Sequence, residues 1–134
     1  MSIEAEILKS CKVVAVVGLS SDPERPSNRV ASFLQQNGYK IIPVNPKEQN
    51  VFGVKCYPDL ASVPEKVDVV DIFRRSEDVL PIVEDSVKIG AKAVWMQEGV
   101  VNQAAADKAS KAGLKVVMDK CMRKELAKML YENG

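Results

Sequence analysis

Apolar residues in this chain come in short continuous runs, separated by stretches where they recur every three or four positions. Val13-Val14-Ala15-Val16-Val17 is a β-branched run closed by Gly18, the pattern of a strand buried on both faces. Val30, Phe33 and Leu34 then fall at helical spacing, Gly38 ends that helix, and Lys40-Ile41-Ile42-Pro43-Val44 is a second strand stopped by Asn45-Pro46. Between the first strand and the helix lies Leu19–Pro26, whose two prolines keep it from being helical throughout. Ser27 is the predicted helix cap.

The alternation continues along the chain. Residues 2–10, with Ile3, Ile7 and Leu8 in helical phase, predict a short amphipathic helix before the first strand. Residues 47–64 hold Gly53, Pro58 and Pro64 and read as irregular, with one short turn at Asp59–Ser62. A third strand is expected over Val67–Phe73, and Ser76 is expected to cap a helix whose buried stripe is Val79, Ile82, Val83 and Val87. Ala93–Met96 is a fourth strand. Asn102 caps an alanine-rich helix through Ala112, Lys115–Met118 is a fifth strand, and a closing helix from Met122 carries Leu126, Met129 and Leu130 on one side. Strands alternating with helices imply an α/β fold: a doubly wound, Rossmann-like parallel sheet of about five strands, helices on both faces, in a single domain over 1–134.

In such sheets ligands sit beyond the carboxyl ends of the strands. That edge comprises Gly18–Ser21, Asn45–Lys47, Phe73–Arg75, Gln97–Val100 and Asp119–Cys121. One glycine, Gly18, stands where a dinucleotide fingerprint needs three, and Asn45-Pro46-Lys47 stands where a nicotinamide site places a ribose-binding acid. Ser20, Ser21, Arg25 and Ser27 still offer hydroxyls and a guanidinium to a phosphate. Lys47, and the arginine pair Arg74-Arg75, each read first as solvated surface cations and second as parts of an anion cradle.

Composition narrows the classes. Hydrophobic residues are 46% and charged residues 28%, the balance of a folded globular chain. A net charge of +1, near balance in both halves, argues against nucleic acid or an anionic membrane as partner. No apolar run approaches a membrane span, no secretory leader is visible, and three scattered cysteines suit a cytoplasmic location. Histidine is absent, which removes the usual general base and the commonest metal ligand.

Gly18-Leu19-Ser20 with Pro23, Arg25 and Ser27, then Val44-Asn45-Pro46, Phe73-Arg74-Arg75, and Trp95-Met96-Gln97-Glu98-Gly99-Val100 resemble the stand-alone CoA-binding domain family, in order, from about Lys12 to Cys121. That family is similar to the CoA-binding domain of the succinyl-CoA synthetase alpha subunit. The resemblance implies CoA contacts at Gly18 to Ser21, at Lys47 and at Gln97-Glu98-Gly99. The synthetase's phosphorylated histidine has no counterpart. Asp119-Lys120-Cys121 fits the family's D-x-C pattern, whereas Met122-Arg123-Lys124-Glu125 stands where P-x-x-E is more usual.

The expectation is a module that binds CoA or an acyl-CoA, a small-molecule nucleotide ligand, and is not an enzyme by itself. Ser20, Ser21 and backbone N–H groups would hold the pyrophosphate, and Arg25, Lys47, Arg74 or Arg75 the remaining phosphate charge. The pantetheine arm would run past Gly99. Cys121, at a helix start on the same edge, reads first as a small buried thiol and second as a partner for a mixed disulfide with the CoA thiol. Two other readings stay open: a nicotinamide-dependent oxidoreductase fragment, and a sensor or interaction subunit with a vestigial site. Val100-Val101 and the alanine-rich helix serve equally as core or as the surface of a homodimer or of another protein partner.

Overall fold

The computed structural model describes residues 1–133. Its centre is a five-stranded, wholly parallel sheet built from β1 (Val13–Val17), β2 (Lys40–Val44), β5 (Val69–Ile72), β6 (Ala93–Met96) and β7 (Lys115–Val117). The order across the sheet is β2-β1-β5-β6-β7. The chain thus runs outward from β1 to β2 and returns to the other side of β1 as β5. The switch point lies between β1 and β5, where Val17 pairs with Ile72.

Strand residues alternate between two cores. Val14, Val16, Val69, Ala93 and Trp95 face α1 (Ile3–Ser10), α2 (Pro26–Gln36) and α5 (Met122–Asn133), which contribute Ile7, Leu8, Leu34, Met122 and Leu126. Ala15, Val17, Val70, Ile72, Val94 and Met96 face α3 (Val79–Lys88) and α4 (Gln103–Lys111), which contribute Val79, Val83, Ala105 and Ala109. Both faces of the sheet are covered, which is why its strands read as continuous apolar runs.

Several caps follow the sequence. Ser2 accepts the Ala5 N–H, Asn102 accepts the Ala105 N–H, and Asp59 caps the 3-10 turn Leu60–Ser62. Two expected caps are corrected. Ser27 lies inside α2, which starts at Pro26 after Arg25, and its hydroxyl accepts the N–H of Ser20 instead. Proline at the first helical position needs no hydrogen bond there, so the helix begins one residue before the serine. Ser76 opens a 3-10 turn, Ser76–Asp78, ahead of α3, and its hydroxyl bonds to the Gly99–Val101 loop.

Residues 47–64 are less irregular than expected, since β3 (Asn50–Val51) and β4 (Val54–Lys55) form a small antiparallel hairpin. Phe52 and Gly53 turn it with φ of 56° and 72°, the left-handed pair a two-residue hairpin needs. Two-residue strands are too short to show alternation, and Phe is an unusual residue at such a φ. Strand 67–73 is trimmed to Val69–Ile72, and 115–118 to Lys115–Val117. In α5, Met122 and Leu126 are buried and Met129 packs beside them, but Leu130 is 41% exposed, because the eighth residue after Met122 has rotated to the helix flank. Val100 is buried and Val101 is 48% exposed.

Candidate functional site: a polar cleft at the carboxyl rim

The switch point opens into a cleft of about 950 Å³. Its floor is Gly18 and Phe73, the residues that follow β1 and β5. Gly18 has φ +89°, donates its N–H to the Val44 carbonyl at 2.8 Å, and leaves no room for a side chain, since a Cβ would collide with the Phe73 carbonyl oxygen. The two strands can end side by side only because this residue is glycine.

The loop after β1 is held by its own polar groups. Ser20 donates its N–H to the Ser27 hydroxyl at 3.0 Å, and Asn28 donates its side-chain amide to the Ser20 carbonyl at 2.8 Å. Asn45, at the end of β2, reaches across to the Leu19 carbonyl (3.0 Å) and accepts the Lys47 N–H (3.0 Å). One buried amide therefore fixes two loops of the rim at once. The Asp22 N–H donates to Ser20 Oγ and the Glu24 N–H to Asp22 Oδ1, closing an ST turn and an Asx turn.

The opposite wall is tied to the last helix. Gln97 is buried and its Oε1 accepts the N–H of Met122, capping α5 at 3.1 Å. Asp119, at φ +61°, accepts the Gly99 N–H at 2.7 Å, and Glu98 binds the Lys124 ammonium at 2.8 Å. The loops after β6 and β7 thus form one hydrogen-bonded unit.

Of the residues singled out from sequence, Gly18, Ser20, Arg25, Ser27, Asn45, Lys47, Phe73, Arg74, Arg75, Gln97 and Glu98 line this cleft together, with Cys121 beside them. Leu19 is wholly buried in the core, and Ser21, Pro46 and Gly99 belong to the same loops without lining the cleft. Two lining acids were not singled out, Glu48 and Asp78. Glu48 accepts the Ser21 N–H at 2.7 Å, and Asp78 binds Arg75 Nε at 3.1 Å. Neither carries a sequence signal, because a loop glutamate or first-turn aspartate is ordinary until the chain folds. Arg25 is 4.0 Å from Asp22, an exposed and weak pairing. Among the described residues Lys47 and Arg74 make no ion pair, so theirs are the cationic groups left free for an anion.

Residues 12–127 match the CoA binding domain family. The chain belongs to this family. It is 40% identical over 118 residues to the Bacillus subtilis protein YneT, covering 88% of this chain and 87% of YneT. It superimposes on the structure of a hypothetical protein from Pyrococcus horikoshii OT3 with a TM-score of 0.93 and 41% identity, covering 97% and 93% of the two chains. It is also 34% identical over 91 residues to the ADP-forming acetate–CoA ligase II of Archaeoglobus fulgidus. That match takes in 66% of this chain and 14% of the ligase, so the family occurs both as a short chain and as one part of a much longer enzyme.

One further residue stands out beneath the cleft. Asp71, between Val16 and Trp95 in the sheet register, is fully buried, and neither carboxyl oxygen hydrogen-bonds to any described residue. Burial pushes its carboxyl well above the usual carboxylate range, because a charge on it would be cut off from water. Its position in an apolar strand gave no sign of this.

Proposed function

We propose that the cleft binds CoA or an acyl-CoA, a small-molecule nucleotide ligand, and that this CoA-binding domain acts in the cytoplasm as a non-catalytic module. The observation that carries the reading is the convergence of unpaired Lys47 and Arg74, with Arg25 and Arg75 nearby, on a rim whose first loop turns its backbone toward the N-terminus of α2. CoA brings a pyrophosphate and a separate ribose phosphate, and two free cations on different loops suit two separated anionic groups.

In this reading Ser20, Ser27 and the start of α2 face the pyrophosphate, and Lys47 and Arg74 meet the remaining phosphate charge. Gln97 and Glu98, which line the same cleft, offer polar partners to a pantetheine arm that runs past the Gly99 turn. The Ser21 N–H is occupied by Glu48, so that donor reaches a phosphate only once the carboxylate moves aside. The relation to ligases named for CoA supports the choice of CoA over other nucleotides. So does the single glycine of the first loop, which is short of the spacing a dinucleotide fingerprint needs.

Calorimetric titration with CoA, NAD and NADP tests this. Saturable binding of CoA, with NAD and NADP at least tenfold weaker, is the expected result. Equal or tighter binding of NAD overturns it in favour of a nicotinamide site, and no binding of any of the three favours a vestigial one.

A further inference from the structure

A second depression adjoins the cleft. It lies between α2 and α5, has a volume of about 390 Å³, and shares Pro26, Val30 and Cys121 with the cleft as common wall. Its remaining surface differs in kind. Phe33 and Ala127 line it, and the Arg123 guanidinium sits 5.3 Å from the centre of the Phe33 ring. The other cations on its border are already paired, Arg29 with Glu24 at 3.0 Å and Lys124 with Glu98 at 2.8 Å, so they wall the groove with aliphatic stems. No carboxylate lines it.

A polar, cationic cleft that continues into a narrow apolar groove matches a ligand with an anionic head and an apolar end. We propose that the groove between α2 and α5 seats the acyl chain of an acyl-CoA, with the thioester crossing from cleft to groove beside Cys121. This rests on the reading of the cleft as the CoA site. The pantetheine arm itself is the poorer occupant. Among the described residues its two amides and hydroxyl would find the Arg123 guanidinium as the one cation of the lining outside an ion pair, and would otherwise lose water against Pro26, Val30, Phe33 and Ala127. A saturated chain of several carbons gives up no hydrogen bond there and gains the burial of each methylene, which outweighs the ordering of its bonds. The ligand class is therefore an acyl-CoA with an apolar chain longer than acetyl.

Titration of the intact protein with CoA, acetyl-CoA, butyryl-CoA, hexanoyl-CoA and octanoyl-CoA tests the assignment. Affinity is expected to rise by about two- to fourfold per methylene beyond acetyl until the groove is filled. Ala127→Phe, which puts a ring into the groove from the surface of α5, is expected to abolish that rise and leave CoA affinity within about twofold. Ala127→Leu should act in the same direction to a smaller degree, and thermal melts establish that both variants are folded. Equal affinity for CoA and octanoyl-CoA in the unaltered protein overturns the acyl seat while leaving the CoA site standing. A parallel loss of CoA affinity in a folded Ala127→Phe also overturns it, placing the pantetheine arm in the groove. Failure to bind CoA or any thioester overturns both readings together.

Discussion

Gly18 and Phe73 meet backbone to backbone at the switch point of the sheet, so closely that a Cβ on residue 18 would strike the Phe73 carbonyl oxygen. β1 and β5 end side by side there, and their following loops diverge to opposite walls of the cleft. Gly18→Ala adds both a steric collision and a strained positive φ at this point. It is expected to cost about 1–3 kcal/mol in denaturant unfolding and to weaken CoA binding in calorimetry. Unchanged stability would mean that the strands have room to part.

The free cations and the paired one should separate by mutation. Lys47→Ala and Arg74→Ala are each expected to weaken CoA about tenfold, the size of one charge-assisted contact, with little change in melting temperature. Arg75→Ala should cost less, because Arg75 is already bonded to Asp78. The losses should shrink as salt rises, since the site is open to solvent.

Glu48 occupies a backbone donor of the first loop with a negative charge. Glu48→Gln keeps the shape of the side chain and removes the repulsion of an incoming phosphate. CoA affinity is expected to rise several-fold at low ionic strength, measured by calorimetry at two salt concentrations. A fall in affinity would show that the carboxylate is needed to hold the loop.

Asp71 makes stability depend on pH in a defined direction. Burial raises the folded-state value of this carboxyl, so the native state holds a proton that the unfolded chain releases above the ordinary value of 3.8. The contribution is complete below that value and is lost progressively as pH rises toward the raised folded value. Asp71→Val removes an unpartnered buried polar group and should stabilise the protein at neutral pH by about 1–3 kcal/mol. It should also flatten the decline of stability with rising pH, read from denaturant midpoints across the range. Decreased stability of the valine variant would point to a partner that the carboxyl meets within the core.

The apolar runs alone determined the strands. Val13–Val17 and Ala93–Met96 read as buried strands because both faces of a parallel sheet are covered, and Lys40–Val44 was bounded by Gly38 and Asn45-Pro46. Their alternation with helices determined the doubly wound order, and with it the five loops of the rim. What the sequence could not decide were relations between residues distant along the chain. Ser27 and Ser76 have the chemistry of helix caps, yet their hydroxyls serve loops seven and twenty-five residues away. Lys47, Arg74 and Arg75 looked alike as exposed cations; the Arg75–Asp78 pair spans only three residues, but that Lys47 and Arg74 meet no carboxylate among the described residues is set by how their loops lie in the folded rim. Glu48, Asp71 and the groove between α2 and α5 acquired their character only from what packed beside them. Hydrophobic periodicity is a local property and survives in the sequence; burial, pairing and cavity shape are set by contacts across the sheet and between helices, which only the tertiary structure brings about.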